Sequence, residues 1–255
     1  MIEKRKIILI LVALLCLIGG FISGVHVGKS RGIPFVREQQ EWSIGIYMGE
    51  SPFDFVSPGN ITNPVLTAKE VTDVPADFVA DPFMIKENST WYMFFEVMNS
   101  QTHQGDIGLA ISSDELNWTY KQIVLDELFH LSYPYVFKWK NEYYMIPESH
   151  QVNSVRLYKA VDFPKKWSFV RTLLYGDYVD SSIFRHAGRW WIFTESSRGD
   201  NSTLRLYYAD DLTEPWIEHP KSPIIEGDAN IARPGGRVAV FDGRIVRYAQ
   251  DDDPT

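Results

Sequence analysis

The 255-residue sequence has a single cysteine, Cys16, inside an apolar run near the N-terminus, so no disulfide framework can be built from it. Lysine and arginine form no cluster beyond the terminus, and the formal net charge is −8. That balance argues against a nucleic-acid partner. His103, His130, His150, His186 and His219 are scattered without metal-ligand spacing, so no metal and no other cofactor is expected. Ser149 stands beside His150, but no nucleophile elbow surrounds it. What the chain does have is aromatic residues, 14% of the total, which serve sheet packing or stacking on sugar rings.

One long hydrophobic run is present, from Ile7 to Val27 after Lys4-Arg5-Lys6. At about 1.5 Å per residue it reaches roughly 30 Å as a helix, the thickness of a bilayer's hydrocarbon core. The alternative is a cleaved signal peptide, but the run is long for one and no small-x-small cleavage site stands out. The expected organisation is a cytoplasmic stub at 1–6, a transmembrane signal-anchor at 7–27, a linker at 28–41 and a body at 42–255. The basic residues ahead of the run slightly outnumber Lys29 and Arg31 after it, which places the N-terminus inside and the body outside the cytoplasm as a single-pass membrane protein. Asn-x-Ser/Thr triplets at Asn60, Asn88, Asn117 and Asn201 fit an exported body, although such triplets also arise by chance.

The body is organised around a hairpin written three times. Asp81-Pro82-Phe83-Met84-Ile85-Lys86 turns through Glu87-Asn88-Ser89-Thr90 and returns as Trp91-Tyr92-Met93-Phe94-Phe95-Glu96. Tyr133-Pro134-Tyr135 and Asp180-Ser181-Ser182 open the second and third copies, which end on Glu148 and Glu195. Short aromatic and β-branched runs about a polar or Gly turn are a hairpin signal. In every copy the first and last residues are fifteen positions apart, so pairing is expected to set Asp81 across from Glu96 and Asp180 across from Glu195. Each hairpin is followed by a third strand, and Trp118, Trp167 and Trp216 each open a fourth. Four strands per repeat of roughly 40–50 residues is the pattern of a β-propeller. The expected blades lie at about 81–128, 133–175 and 180–226, with a partial blade at 228–255 that turns at Asp242-Gly243. Three and a half units cannot close a ring. The sequence therefore reads as part of a longer chain, or residues 33–80 add strands from the N-terminal side.

In such an architecture the starts of the innermost strands crowd one mouth of a central channel. Asp81, Tyr133, Asp180 and Arg233 would meet there with Glu96, Glu148, Glu195 and Gln250. Paired carboxyls can cleave a glycosidic bond, and crowded acids push one another's pKa values apart. Asp81, Asp180, Glu148 and Glu195 are the catalytic candidates, and Tyr133, Glu96, Arg233 and Trp190 the candidates for holding a substrate. The competing reading is that these acids cap strand ends and bind backbone amides or Arg233. The Asp251-Asp252-Asp253 run reads as a solvated loop rather than a metal site.

Ala80-Asp81-Pro82-Phe83 with Trp91-Tyr92-Met93-Phe94-Phe95-Glu96, and Ser132-Tyr133-Pro134 with Met145-Ile146-Pro147-Glu148-Ser149, resemble the N-terminal propeller of glucosamine inositolphosphorylceramide transferases. So do Asp180-Ser181-Ser182 with Trp190-Trp191, and Arg233-Pro234-Gly235-Gly236-Arg237 with Gln250-Asp251. The resemblance covers about 42–255 and implies a five-bladed propeller related to family 43 glycoside hydrolases. In plant members a separate C-terminal domain carries the sugar transfer, and nothing in this sequence resembles it. The hydrolase pattern implies an Asp base in the first blade, matched by Asp81. It implies a modulating Asp where Tyr133 stands and a Glu acid where Asp180 stands, so two of three positions depart from it. The expectation is a membrane-anchored propeller that binds a glycan or glycoconjugate in surface polysaccharide or glycolipid metabolism. The alternatives are a glycoside hydrolase using Asp81 with Glu148 or Glu195, and a non-catalytic structural or protein-binding propeller.

Overall fold

The computed structural model describes residues 42–196 and 202–251. The expected stub, membrane span and linker lie outside the described residues, as does the triplet asparagine Asn201. Among the described residues no helix is long and apolar enough to cross a membrane. They form an all-β, propeller-like structure whose helical content is two 3-10 turns, Ala68–Glu70 and His150–Val152.

A ribbon of β1 (Met48–Ser51) and β2 (Asp54–Val56) precedes three antiparallel sheets. The first is β3 (Ala76–Glu87), β4 (Thr90–Asn99), β5 (Gln104–Ser112) and β6 (Thr119–Leu125), ordered as in the sequence. The second is β7 (Ser132–Trp139), β8 (Glu142–Glu148), β9 (Ser154–Asp162) and β10 (Lys166–Tyr175). The third is β11 (Tyr178–His186), β12 (Arg189–Ser196), β13 (Thr203–Ala209) and the short β14 (Ile217–Glu218), with β15 (Ile225–Glu226) also pairing β13. A final hairpin, β16 (Ala239–Phe241) with β17 (Arg244–Val246), starts a fourth unit.

Local chemistry explains the hairpins. Lys140-Asn141, Ala187-Gly188 and Asp242-Gly243 are two-residue loops with both φ values positive. That is the primed turn whose twist matches the flanking strands. At the opposite end of each hairpin the expected register fails by one residue. Ala80 pairs Glu96, Ser132 pairs Glu148 and Val179 pairs Glu195. Pairing then resumes at Phe83–Phe94, Tyr135–Ile146 and Ser182–Phe193. Two residues therefore face one on the partner strand. Asp81 is not across from Glu96, nor Asp180 across from Glu195, because a β-bulge sits between them.

The core has two parts. Phe83, Phe94, Tyr135, Val136, Ile146, Leu157, Ile183 and Ile192 belong to one cluster that joins all three sheets. Across it Phe94 meets Trp167 edge-on at 5.4 Å, and Tyr143 stacks on Phe163 at 3.7 Å. Ile44, Ile46, Leu66 and Val71 cover the other side of the first sheet, against Met93, Phe95, Val97 and Ala110. Trp118 and Trp167 play one role in successive sheets: each indole N–H donates to the carbonyl three residues back, Glu115 and Pro164, at 3.0 Å. Arg237 ties the fourth unit to the first two. Its guanidinium donates to the carbonyls of Met84 at 2.8 Å and Val136 at 2.6 Å, and lies over the rings of Phe83 and Tyr135.

Candidate functional site

The bulges set the geometry of the site. Asp81, Tyr133 and Asp180 hold the left-handed conformation, with φ of 51°, 44° and 48°. For a residue with a Cβ this costs about 1–2 kcal/mol each, and it persists only where the surroundings over-determine it. Here the strained residues are the ones that bond from sheet to sheet. The Tyr133 N–H donates to the Asp81 carboxyl, and the Asp180 N–H donates to Glu148 Oε2 at 3.1 Å. The Tyr133 hydroxyl shares a hydrogen with Ser182 Oγ at 2.9 Å and accepts the Gly236 N–H at 2.5 Å. Ser182 Oγ donates in turn to the Gly236 carbonyl at 2.8 Å.

Four carboxyls are thereby gathered: Asp81 from β3, Glu96 from β4, Glu148 from β8 and Asp180 from β11. Arg233 Nε donates to Asp180 Oδ2 at 2.6 Å, and Gln250 Nε2 donates to the same oxygen. Asp180 is 1% exposed, and its other oxygen, Oδ1, has no hydrogen-bond partner among the described residues. Glu148 Oε1 pairs with His150 Nδ1 at 2.7 Å, and Glu96 Oε1 with His130 Nε2 at 3.3 Å. The two imidazole rings lie 6.4 Å apart.

Like charges crowded together and withdrawn from water disfavour one another's ionised forms, so these four acids do not all ionise together at neutral pH. The cluster resolves this by splitting. Burial, then the Glu148 charge, pushes Asp81 up to about 6 against the pull of Arg233 and the Tyr133 N–H. Burial, then Asp81 and Glu148, pushes Glu96 up to about 8. Burial and the Glu148 charge hold Asp180 well above the usual range despite Arg233. Burial acts on Glu148 too, but hydrogen bonds from His150 and Asp180 outweigh it and hold that carboxyl below its ordinary value. The bond to Glu148 raises His150, while burial lowers His130. Glu148 thus ionises most readily, Asp81 follows near 6, and Glu96 and Asp180 hold their protons longest, a division from which acid and base roles can be made.

The other candidates are placed differently. Tyr133 is 3% exposed, its ring edge-on to Phe83 at 4.7 Å and its hydroxyl fully engaged. Trp190 lies in the core against Phe137 and Trp139. Glu195 is buried on β12 opposite Val179. Sequence reasoning passed over His130 and His150. Glu148 and His150 are two residues apart at a strand end, the spacing that puts side chains on one face, so that pair had a local signal. Glu96 and His130 have none. Among the described residues no group of His, Cys, Asp and Glu has metal-binding geometry. A cleft of about 550 Å³ lies elsewhere, between 59–65 and Leu116–Trp118. Its lining has no titratable group.

Comparison with known proteins agrees with this fold. Solved structures of similar architecture include a β-xylosidase, RS223, with a TM-score of 0.54 at 14% identity over 71% of this chain and 67% of that one. A Cellvibrio cellulosa α-L-arabinanase bound to arabinohexaose gives 0.51 at 16% identity, over 70% of each chain. These establish a glycoside-hydrolase-like propeller fold and nothing of activity. Glucosamine inositolphosphorylceramide transferase 1 of Oryza sativa subsp. japonica is 38% identical over 251 residues, 90% of this chain. The Arabidopsis thaliana protein of the same name is 37% identical over 257 residues. This chain spans 34% of the length of each of these relatives. The family model described as glucosamine inositolphosphorylceramide transferase 1, N-terminal, matches residues 36–255, and the chain belongs to that family.

Proposed function

We propose that this protein is a membrane-anchored, five-bladed propeller module that holds a glycan or glycoconjugate where Asp81, Glu96, Glu148 and Asp180 meet. Its setting is surface polysaccharide or glycolipid metabolism. The observation that carries the reading is the repeated bulge, which spends backbone strain in three successive sheets to gather polar groups at one end of the hairpins. A mixed set of protonated acids, carboxylates, Arg233 and His150 offers donors and acceptors together, which is what sugar hydroxyls require. The relatives' name, a transferase of glucosamine inositolphosphorylceramide, fits carbohydrate chemistry, while the transfer reaction itself is not carried over.

The anchor rests on the apolar run 7–27, and its preceding basic residues favour a body outside the cytoplasm. The five-bladed part of the reading rests on the family resemblance, and the β16–β17 hairpin starts a fourth unit. The β1–β2 ribbon packs beside it through Phe53–Phe241 at 5.9 Å and Tyr248–Pro52 at 3.0 Å. The test is a glycan array with the full chain in detergent micelles. Binding to a defined glycan class that is lost in Asp81→Asn is the expected result, and an array with no binding overturns the reading.

A second reading, a glycosidase using Asp81 with Glu148 or Glu195, is favoured by the opposite shifts of Asp81 and Glu148. It requires turnover of aryl glycosides that disappears in Asp81→Asn, and turnover unchanged by that substitution sinks it.

A further inference from the structure

The cleft of about 550 Å³ between 59–65 and Leu116–Trp118 has two walls, each held by its own hydrogen bonds. The first wall is the loop after β2. Its Asn63 exchanges two bonds with Ile46: Nδ2 donates to the Ile46 carbonyl at 2.9 Å, and Oδ1 accepts the Ile46 N–H at 2.8 Å. The Val65 N–H donates to the Ile44 carbonyl at 2.8 Å, so the loop is tied down at its far end as well. The second wall is the turn between β5 and β6. Asp114 Oδ1 accepts the N–H groups of Leu116 at 3.1 Å and Asn117 at 2.8 Å, and Asp114 Oδ2 accepts Asn117 Nδ2 at 2.7 Å. The indole bond to the Glu115 carbonyl fixes the Trp118 ring beside that turn. Trp167, its counterpart in the second sheet, is buried in the core, whereas Trp118 is only partly buried and lines the cleft.

With the walls tied down in this way, polar side chains are left over. Asn60 and Thr62 line the cleft and are exposed, and among the described residues no hydrogen bond engages either side chain. Asn117 commits one amide hydrogen to Asp114 and keeps the other, together with its carbonyl oxygen. We infer that this cleft is a second carbohydrate site, separate from the carboxyl cluster, and that it takes a neutral oligosaccharide. A charged ligand would give up hydration there with no ionic group to meet it, because the lining has none. A wholly apolar ligand would cover the Asn60, Thr62 and Asn117 side chains without pairing them. A sugar answers both conditions. Its ring C–H groups rest on the Trp118 indole, and its adjacent hydroxyls meet amides that carry a donor and an acceptor side by side. The volume lies within the roughly 300–1,000 Å³ of small-ligand sites. With no titratable group the cleft holds a sugar and supplies no acid or base to cleave one. This site does not rest on the one proposed at Asp81, so either can fail alone.

The test is a titration of the intact nitrogen-15-labelled chain in micelles with maltotriose, cellotriose, xylotriose and mannotriose, Trp118→Phe assigning the indole signal. The expected result is that at least one trisaccharide moves the Trp118 indole N–H and the Asn60 and Asn117 side-chain amide signals to saturation. In Asn60→Ala and in Thr62→Ala, both exposed positions, that binding weakens roughly three- to tenfold while Tm stays unchanged. Movement of the His150 ring signals without those of the cleft overturns the inference and leaves the proposed function standing. A chain in which no signal moves overturns the inference and counts against the carbohydrate reading as a whole. Binding that neither alanine variant weakens, or that a trimer of galacturonic acid equals, also overturns it. So does added mass from a covalent glycan on Asn60 or Asn117, each of which opens an Asn-x-Thr triplet, since the cleft would then be occupied by the protein's own modification.

Discussion

The two ends of the same hairpins handle charge in opposite ways. At the turn ends, acids and bases alternate and pair in the open: Lys138 with Glu87 at 2.7 Å, Arg189 with Asp210 at 2.7 Å, Lys140 with Asp211 at 3.5 Å. The turn residues there also take positive φ, Lys140 at 48° and Ala187 at 49°, but in primed turns whose twist the flanking strands require. At the bulged ends, acids outnumber bases, three residues are strained, and Glu96, Glu148 and Asp180 are under 10% exposed. Folding alone explains the first end. The second costs backbone strain and desolvation, offset in part by the pairs Asp180–Arg233, Glu148–His150 and Glu96–His130. The proposed site at the bulges rests on that contrast.

The sharpest way to break the comparison is to remove the proton of Glu96. Its carboxyl is raised in the folded state to about 8 from an ordinary value of 4.5. The folded protein therefore binds the proton more tightly than the unfolded chain does. The stabilisation is fully present below about pH 4.5 and is lost as pH rises through 8, on the order of 4–5 kcal/mol across that window. Glu96→Gln keeps the shape and has no proton to lose. Relative to wild type it is expected to gain stability steadily from pH 5 to 8.5, by about 10 °C or more in Tm at the upper end. A difference in Tm that stays flat across that range would show that the bulged end is electrostatically ordinary.

Next in size is Arg237→Ala. It leaves the carbonyls of Met84 and Val136 without their shared donor and exposes Phe83 and Tyr135 to a cavity. Losing charge-assisted bonds at buried carbonyls costs about 3–5 kcal/mol, or roughly 6–20 °C in a domain of this size. Thermal melts at pH 6 read it directly. A shift of under about 2 °C would mean that the fourth unit is not what holds the first two inner strands together.

The strands and their turns were legible because period-two aromatic runs and Asp-Gly or Ala-Gly turns act locally. The carboxyl convergence was legible because it repeats. The register was not, since a bulge adds one residue without any fixed residue type: Pro82, Pro134 and Ser181 follow the three left-handed positions. Tyr133 reads in sequence as a stacking platform because tyrosine serves equally well as a buried tether. Only the distance to Gly236, more than a hundred residues away, decides between them. The Glu96–His130 contact likewise joins residues far apart in sequence, through a backbone N–H that no composition or spacing reveals.

The smallest expected effect is the control for the whole comparison. Glu87 and Lys138 join β3 to β7 at the turn end, with side chains 29% and 36% exposed. Exposed pairs trade modest Coulomb attraction for side-chain entropy and are screened by salt, so many contribute nothing measurable. Glu87→Gln is therefore expected to leave Tm unchanged within the error of a melt, at low and at high ionic strength alike. Its stability profile with pH should overlay that of wild type through the whole window in which Glu96→Gln diverges. A clear loss of stability that vanishes in concentrated salt would place real electrostatic work at the turn end. Charge would then hold the sheets together at both ends of the hairpins, and the surplus of acid at the bulges would no longer single them out.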